Sequence, residues 1–294
     1  MTTAVAAPFR FFSLQVARTR RLGPSLVRVS FAGEDLRHFF SDGYDQSLSL
    51  FLPHPGQSEP RVCHELGDGW WQAWRELPDD VRAVMRSYTL RSVRRDALGR
   101  TTGIDVDFVL HGVGPGACAP AGPASRWASR ATPGDRVVLL GPAIADNRAI
   151  RFRAPQDTDL VLLWGDETAL PAISSILESL PAGLPVRAWL EVHDAGTVQD
   201  LATPADAEIT WLVRGERAAD GADGAECSPM ALGALRDARL PLARRPYVWI
   251  AGESGCVKHL RRHFVGERGI DRRRVTFVGY WRQGLTEEQL RERA

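Results

Sequence analysis

Residues 160–173, LVLLWGDETALPAI, show most directly how the second half of the chain folds. Their nearly continuous apolar run is typical of a strand that is covered on both faces of a parallel sheet. The run ends at Gly165, which lets the backbone turn tightly, and the apolar residues after it recur at helical spacing. The stretch therefore predicts a buried strand, a tight turn and a helix, the repeating unit of an α/β sheet.

Four further apolar runs follow along the chain: PVRAWLEV (185–192), AEITWLV (207–213), PYVWIAG (246–252) and RVTFVGYW (274–281). Pro171 suits the first turn of a helix, and Gly269 is placed to end a later one. Two helical faces are predicted, one from Leu170, Ile173, Ile176, Leu177 and Leu180, the other from Val257, Leu260, Phe264 and Val265. The order of elements is β, α, β, β, α, β, α, β, which favours a doubly wound parallel sheet.

The first half of the chain has shorter, alternating runs broken by Gly, Pro and Asp. They are FFSLQVARTRRLG (11–23), SLVRVSFAG (25–33), SLSLFLP (47–53), RSYTLRSVRR (86–95), IDVDFVLHG (104–112) and DRVVLLGP (135–142). Six such strands predict an antiparallel barrel. Two stretches inside it look helical, DGWWQAWRELPDDVRAV (68–84) and PASRWASRA (123–131). We therefore predict a two-domain β plus α/β chain, with a barrel domain over residues 1–153 and an α/β domain over residues 154–294.

The composition favours small-molecule partners. The chain has 37 basic and 36 acidic residues among 294, so its charge argues for neither nucleic acid nor a polybasic membrane contact. Cys63, Cys118, Cys227 and Cys256 form no CxxC pair, which argues against a zinc ribbon, and we expect reduced, buried thiols. No window suits a membrane span and no leader pattern is seen, so we expect a cytoplasmic protein without stable membrane association.

Ligands of parallel sheets bind beyond the carboxyl ends of the strands, where loops enter helices. At GDET (165–168), Asp166 or Thr168 can cap the helix, and free amides in its first turn would favour a pyrophosphate. An ordinary helix cap is an equally good interpretation. The GxGxxG fingerprint is missing, so a plain Rossmann dehydrogenase is not supported. Arg214 and Arg217 could hold the phosphate that separates NADPH from NADH, or could be solvated charges.

The strand RSYTLR (86–91) carries an unusual set of polar side chains. Alternation places Arg86, Tyr88 and Leu90 on one face and Ser87, Thr89 and Arg91 on the other. Solvent exposure alone would explain this pattern. The functional alternative is that the guanidinium groups meet phosphate, the phenol covers a planar ring and the threonine hydroxyl reaches a heteroatom.

Other motifs favour structural roles. His259 and His263 have the spacing of a zinc pair, but Arg261 and Arg262 lie between them and cations repel a metal, so a surface helix is preferred. The Trp70, Trp71 and Trp74 cluster suits a core plug. HGVGPGACAPAG (111–122) and GERAADGADGAECSP (215–229) suit flexible connections. No GxSxG motif or nucleophile with an adjacent base is present, so hydrolysis has little support.

Six motifs together resemble the siderophore-interacting protein family of FAD-dependent, NADPH-linked ferric-siderophore reductases, which are ferredoxin-reductase-like. The motifs are RSYTLR, DFVLHG, GPASRWASRATPGD, GDETALPAI, AGESG and GYWRQG, in the family's order from about Phe11 onward. The resemblance implies an N-terminal antiparallel FAD-binding β-barrel followed by a doubly wound parallel-sheet NAD(P)H-binding domain.

The resemblance also implies the site residues. On the FAD side, Arg86 would meet phosphate, Tyr88 would lie against the flavin and Thr89 would approach its N5 edge. The full FAD set is Arg86, Ser87, Tyr88, Thr89, Arg91, His111, Gly112, Gly122, Ala124, Ser125 and Trp127. The nicotinamide-nucleotide set is Gly165, Asp166, Glu167, Thr168, Gly252 and Glu253, and Trp281 lies where the last strand would return toward the flavin. Arg214 joins the cofactor-binding residues through its charge, not through the resemblance. No catalytic acid or base and no metal ligand is implied.

The implied activity is electron transfer from NADPH, or from NADH in its place, through FAD to ferric iron in a siderophore or to another small acceptor. The family commonly has basic residues where this chain has Ser47 and Ser49. That departure keeps open a flavin reductase or tailoring oxidoreductase serving a partner or an organic substrate, and a binding module without redox chemistry. We expect a monomer.

Overall fold

The computed structural model describes residues 7–113, 120–215 and 229–292. The chain divides into two compact units, residues 1–150 and 151–294. Each unit has its own core and is described by itself. The assignment of residues 1–153 to FAD and residues 154–294 to NAD(P)H remains a prediction.

The first unit is a closed barrel of six strands. They are β1 (Phe9–Gly23), β2 (Leu26–Ala32), β3 (Ser47–Leu52), β4 (Val84–Arg95), β5 (Thr101–Val109) and β6 (Arg136–Pro142). They close in the order β1-β2-β5-β4-β3-β6, with neighbours antiparallel. All six predicted strands are confirmed. Alternate residues fill the interior, among them Phe12, Val29, Phe31, Leu50 and Phe108, each fully buried.

Two carboxylates of β5 are held within the barrel wall. Asp107 binds the guanidinium of Arg28 at both oxygens, at 2.7 and 2.8 Å. Asp105 accepts from Ser30, Ser92 and Arg94 at 2.5–2.8 Å. Burial raises the pKa of Asp105, but these hydrogen bonds outweigh burial and leave the pKa below its usual value. Asp107 therefore joins β5 to β2, and Asp105 joins β5 to both β2 and β4.

The two helices of this unit are shorter than predicted. Helix α1 is Trp70–Glu76 rather than residues 68–84, because Leu77 is extended before Pro78. Helix α2 is Pro123–Ala128. Trp74 is buried and meets Phe51 edge-on at 5.9 Å, while Trp70 meets Phe11 at 4.9 Å. The tryptophans therefore cover the outer face of the barrel, as the core-plug interpretation predicts.

The second unit is a five-stranded parallel sheet. Its strands are β7 (Leu160–Asp166), β8 (Pro185–Val192), β9 (Asp206–Val213), β10 (Pro246–Glu253) and β11 (Val275–Trp281), in the order β11-β10-β7-β8-β9. Its helices are α3 (Leu170–Ser179), α4 (Pro229–Asp237), α5 (Ser254–Arg262), continued by a π-helical turn over His263–Glu267, and α6 (Glu287–Glu292). The predicted order of elements and the doubly wound sheet are confirmed.

Gly165 lets helix α3 approach the sheet. A Cβ atom at this position would lie 2.6 Å from the Ala169 Cβ and 2.8 Å from the Ile173 Cδ1. The helix begins with Pro171 in its first turn, as predicted. Gly269, with a φ of 69°, stands shortly after the later helical segment.

The cysteines were all expected to be reduced thiols, and the structure differs from this prediction at Cys256. Cys63 is free and half-buried. Cys256 is buried but disulfide-bonded, so the prediction of a reduced thiol is wrong at this position. Cys118 and Cys227 lie outside the described residues, as does nearly all of GERAADGADGAECSP.

Among the helices of the described residues, none has the length and apolar character that a membrane span requires.

Gly165→Ala is expected to lower the free energy of unfolding by about 1–3 kcal/mol, because the added Cβ overpacks the contact between β7 and α3. Gly233→Ala is the matched control, since Gly233 lies in α4 and its Cβ would meet nothing within 4 Å. The control should gain about 0.5–1 kcal/mol. Urea unfolding measures both, and equal effects of the two changes would contradict the close approach at Gly165.

Candidate functional site

The pairing of β3 with β4 fixes the faces of the RSYTLR strand. Arg86 lies opposite Leu50, Ser87 opposite Ser49, Tyr88 opposite Leu48 and Thr89 opposite Ser47. Opposed residues of antiparallel strands share a face, and Leu48 and Leu50 are buried in the barrel interior. Arg86 and Tyr88 therefore lie on the inner face and Thr89 on the outer, as alternation predicts. The register with β5 shifts between Leu90 and Ser92, so the alternation is interrupted at Arg91.

Tyr88 belongs to a row of aromatic rings. Its ring centroid lies 4.3 Å from that of Phe108, which lies 5.7 Å from that of Trp127. Trp127 in turn stacks on Phe31 at 6.3 Å and 10°. Trp127 was predicted as a cofactor contact, and in this structure its ring packs helix α2 against the barrel.

Ser125 joins the start of α2 to the end of β5. The His111 N–H donates to the Ser125 Oγ at 3.1 Å, and that hydroxyl donates to the Val109 carbonyl at 3.2 Å. Gly112, with a φ of 66°, turns the chain immediately afterwards. Two separate motifs of the sequence, DFVLHG and GPASRW, are thus brought together.

The start of α2 is open to an anion. Gly122 is its N-cap residue, Pro123 follows in the first turn, and no described side chain caps the helix. A Cβ on Gly122 would meet nothing within 4 Å, so the described residues leave space beside this cap residue. Ala124 is buried beneath this turn. Uncapped first-turn amides suit a pyrophosphate, and Arg86 and Tyr88 add a cation and an aromatic ring. The barrel residues therefore fit FAD.

In the parallel sheet, the buried Asp166 carboxylate is the centre of a hydrogen-bond network. Its Oδ1 accepts from the Thr168 N–H at 2.9 Å and from the Thr168 hydroxyl at 2.5 Å. Its Oδ2 accepts from the Glu253 N–H at 2.9 Å and from the Trp281 indole Nε1 at 2.8 Å. One carboxylate thus joins the carboxyl ends of β7, β10 and β11.

Gly252 and Glu253 complete this arrangement. Gly252 has a φ of 146°, and a Cβ there would lie 2.5 Å from the Asp166 Oδ2, so no larger residue fits. The Glu253 side chain accepts from the Cys256 N–H at 2.8 Å and caps helix α5. The Ser254 hydroxyl donates to the Trp281 carbonyl at 2.8 Å.

Carboxylates stand at two of the turns that would meet a nucleotide phosphate. Asp166 caps the 3-10 turn Glu167–Ala169 that leads into α3, and Glu253 caps α5, whereas no described side chain caps α3 itself. The cap that Asp166 was predicted to provide is therefore present at this turn, and a pyrophosphate at the first turn of α3 stays a prediction. The carboxyl edge of the sheet remains the predicted nucleotide site, but its acidic caps favour contacts with the uncharged parts of the nucleotide.

Glu167 and Arg214 are also engaged within the protein. The buried Glu167 carboxylate accepts from the His193 N–H at 3.0 Å. Arg214 pairs through its Nε with Glu191, whose side chain is 1% exposed. Glu191 was not among the predicted site residues, although an acidic residue near the end of a buried strand is a recognisable signal. This pairing weakens the prediction that Arg214 grips a nucleotide phosphate, and Arg217 lies outside the described residues.

The HLRRH segment carries no metal pair. His263 is buried, and its Nδ1 lies 2.7 Å from Glu267 while its Nε2 accepts from the Arg268 guanidinium at 3.3 Å. Both ring nitrogens of His263 therefore have partners within the protein. Across the described ranges, no three His, Cys, Asp or Glu side chains are grouped to hold a metal ion.

A closed antiparallel barrel, followed along the chain by a doubly wound parallel sheet, defines the class of protein to which this fold belongs. The chain has the fold of the ferredoxin-reductase-like FAD/NAD-binding proteins. Residues 15–146 match the siderophore-interacting FAD-binding domain, and residues 158–284 match the siderophore-interacting protein model. The chain belongs to the siderophore-interacting protein family, and it is a siderophore-related flavin reductase by class.

Three similar proteins cover most of the chain. The NADPH-dependent ferric-chelate reductase of Escherichia coli is 31% identical over 277 residues, covering 92% of this chain and 93% of the relative. The ferric vibriobactin reductase of Vibrio cholerae is 28% identical over 280 residues, covering 95% and 92%. A siderophore utilization protein from T. fusca, known from its crystal structure, is 33% identical, covers 95% of each chain and has a TM-score of 0.70.

Asp166→Asn is expected to destabilise the second unit by about 2–3 kcal/mol, because an amide nitrogen would replace one carboxylate oxygen. Either the Thr168 donors or those of Glu253 and Trp281 would then face a donor and lose their acceptor. Asp194→Asn is the control: Asp194 caps an exposed turn through the Gly196 N–H, and asparagine caps as well as aspartate. Calorimetry should show a lowered transition for the first variant alone. A loss of equal size in both variants would contradict the role given to Asp166.

Glu267 predicts an acid-dependent stability. Hydrogen bonds from Arg236 and then His263 lower the pKa of Glu267 from 4.5 to about 2. A folded-state pKa below the unfolded value stabilises the protein above pH 4.5, and that contribution is lost as the pH falls toward 2. The Tm difference between wild type and Glu267→Gln should therefore be largest above pH 5 and shrink steadily toward pH 2.5. A difference that stays constant across this range would contradict the ion pair.

Proposed function

We propose that the protein takes reducing equivalents from NADPH onto FAD and passes them singly to ferric iron in a siderophore, releasing iron(II). The observation that carries the proposal is the fit of the barrel to FAD, within a chain that matches both family models in order. The named activities of the E. coli and V. cholerae relatives support the donor and the acceptor.

The FAD side of the site rests on the first unit. We assign the phosphate to Arg86 and the amides after Gly122, and the flavin ring to Tyr88 and Thr89. Ser87 and Arg91 lie on the same strand, β4. The other assigned residues belong to the loop after β5 and to helix α2: His111, Gly112, Ala124, Ser125 and Trp127. Phe108 supports the Tyr88 ring at 4.3 Å, and Ser125 holds α2 on β5, so ring and amides are fixed before FAD binds.

The NADPH side rests on the carboxyl edge of the parallel sheet. Gly165, Asp166, Glu167, Thr168, Gly252 and Glu253 form that edge, and Asp166 orients the Trp281 indole. We assign these residues to shaping the nucleotide pocket rather than to charge pairing, because their carboxylates are already bound by the protein. We keep Arg214 in the proposed nucleotide-binding set because it lies beside Glu191. NADH is the alternative electron donor.

FAD, when bound, accepts two electrons as a hydride and releases them one at a time. Ferric iron is a hard ion that siderophore oxygens hold tightly, and ferrous iron is held far less well, so reduction leads to release. No side chain has to move a proton for this step. That agrees with the carboxylates of both units, Asp105, Asp107, Asp166 and Glu191, being tied up in structural bonds.

A second candidate is a flavin-dependent reductase serving a partner enzyme or an organic substrate in a biosynthetic pathway. One observation favours it: Ser47 is exposed and Ser49 lies opposite Ser87, so neutral hydroxyls stand on the strand face beside Thr89. An anionic ferric complex would find no cation at these two positions. A small-molecule acceptor other than a siderophore fits this face equally well.

The test is anaerobic. FAD-loaded protein is reduced with NADPH, mixed with a panel of ferric siderophores, and followed by flavin reoxidation and by capture of iron(II) with a ferrous chelator. Reoxidation with matching ferrous capture is expected for at least one complex. The gallium(III) form of each siderophore is the matched control, because it binds with similar geometry but accepts no electron.

Flavin that is reduced by NADPH but stays reduced with every ferric complex, until oxygen or another acceptor is added, would overturn iron release in favour of the second candidate. Protein that shows no flavin spectrum even after FAD is added would overturn both reductase proposals.

A further inference from the structure

Strand β8 ends in a buried acidic residue. Glu191 is the last but one residue of β8 and lies opposite Asp166, the last residue of β7. It therefore stands at the carboxyl edge of the sheet, to which the nucleotide is assigned, and its side chain is 1% exposed. In dinucleotide-binding sheets, an acidic residue about 20 residues beyond the turn after the first strand hydrogen-bonds the ribose 2′-hydroxyl of NADH. Glu191 holds the comparable place, at the end of the strand that follows the turn at Gly165.

The neighbouring strand β9 brings an arginine to the same edge. The Arg214 N–H donates to the Val192 carbonyl at 2.9 Å, and the Gly215 N–H donates to the His193 carbonyl at 3.1 Å. The pairing of β9 with β8 thus continues beyond the last residue of β9. It places the Arg214 side chain beside Glu191, whose carboxylate accepts from the Arg214 Nε.

The contact with Glu191 uses one part of the Arg214 guanidinium. Within the described ranges of the chain, Glu191 is the acceptor that this side chain meets, and the side chain is 37% exposed. A guanidinium has five N–H donors in a planar fork, so an arginine held by its Nε can still donate to a phosphate from its terminal nitrogens. The pair is therefore neutral as a whole, but it still offers donors to a ligand.

The two charges act in opposite directions on the group that separates the two coenzymes. NADPH carries a phosphate on the ribose 2′-oxygen, where NADH has a hydroxyl. The Arg214 charge attracts that phosphate, whereas the Glu191 charge repels it and can accept a hydrogen bond from the hydroxyl. Because the Glu191 carboxylate is buried, salt screens its charge less than it would screen a surface carboxylate. The balance between the two charges therefore bears on which coenzyme binds more tightly.

We propose that the Glu191–Arg214 pair selects between NADPH and NADH, and that Glu191 is a specificity-determining residue, which limits the preference for NADPH by opposing the charge of Arg214. Arg214 supplies the attraction to the 2′-phosphate. Glu191 fixes the guanidinium at the edge of the sheet and at the same time reduces that attraction. The inference rests on the nucleotide part of the proposed function and not on the electron acceptor.

The test begins with Glu191→Gln, which separates charge from position. The amide oxygen can still accept from the Arg214 Nε, but the negative charge is lost. FAD-loaded protein is titrated calorimetrically with NADP⁺ and with NAD⁺, which differ in the 2′-phosphate and bind without reducing the flavin. The Kd for NADP⁺ should fall about threefold or more, because a repulsive charge is removed, and the Kd for NAD⁺ should stay within about twofold of wild type.

Arg214→Gln should have the opposite effect, raising the Kd for NADP⁺ about threefold or more with little change for NAD⁺. This change leaves a buried carboxylate without its cation and is expected to lower stability. The double variant Glu191→Gln/Arg214→Gln is therefore measured beside it, since it has no buried charge at this place. Its Kd for NADP⁺ should exceed that of Glu191→Gln.

Glu208→Gln is the matched control. It removes the carboxylate of the Arg187–Glu208 ion pair, whose nitrogen and oxygen lie 3.0 Å apart between the same two strands. Arg187 and Glu208 lie opposite each other near the amino ends of β8 and β9, away from the carboxyl edge. The ratio of the two Kd values should therefore stay within about twofold of wild type.

An unchanged ratio in Glu191→Gln, a rise in its Kd for NADP⁺, or an equal shift in Glu208→Gln would overturn the inference. Wild-type protein that binds neither NADP⁺ nor NAD⁺ would overturn the nucleotide part of the proposed function. That result is distinct from coenzyme binding whose selectivity ignores Glu191 and Arg214.

Discussion

The Asp166 carboxylate is the interaction on which the parallel sheet most depends. Its four donors come from Thr168, Glu253 and Trp281, so it joins the ends of three neighbouring strands in one buried group. Gly252 has to be a glycine because the carboxylate occupies the space of its Cβ. The residues of GDET, AGES and GYW are thus parts of one structure rather than three separate contacts to a nucleotide.

The strands and their order could be predicted from the sequence because they depend on local periodicity. Alternation fixed the faces of Arg86 and Thr89, and the long apolar runs fixed the parallel sheet. Helix α1 was predicted too long, because the apolar spacing continues past Leu77 while the backbone becomes extended before Pro78. The bulge at Arg91 could not be predicted either, since it depends on the register with β5.

The roles of the polar residues were harder to predict, because their partners are remote in sequence. Asp166 meets Glu253 and Trp281 across 87 and 115 residues, and Gln46 meets Asn147 across 101. Family resemblance indicates that such residues matter without showing what they bind. Asp166 and Ser125 were expected to contact a ligand, and the structure adds hydrogen bonds from their side chains to remote parts of the protein. The start of α2 has no side-chain cap among the described residues, so the pyrophosphate contact predicted there stays a prediction.

Closure of the barrel has a consequence for how the protein acquires its flavin. Strand β4 is paired with β3 on one side and β5 on the other, so the strand with the proposed FAD contacts is ordered as soon as the barrel has folded. The entropy of ordering that strand is lost during folding rather than during binding. Uptake of flavin is then docking onto a preorganised surface, so a chain made when flavin is scarce can fold, persist empty and be loaded later.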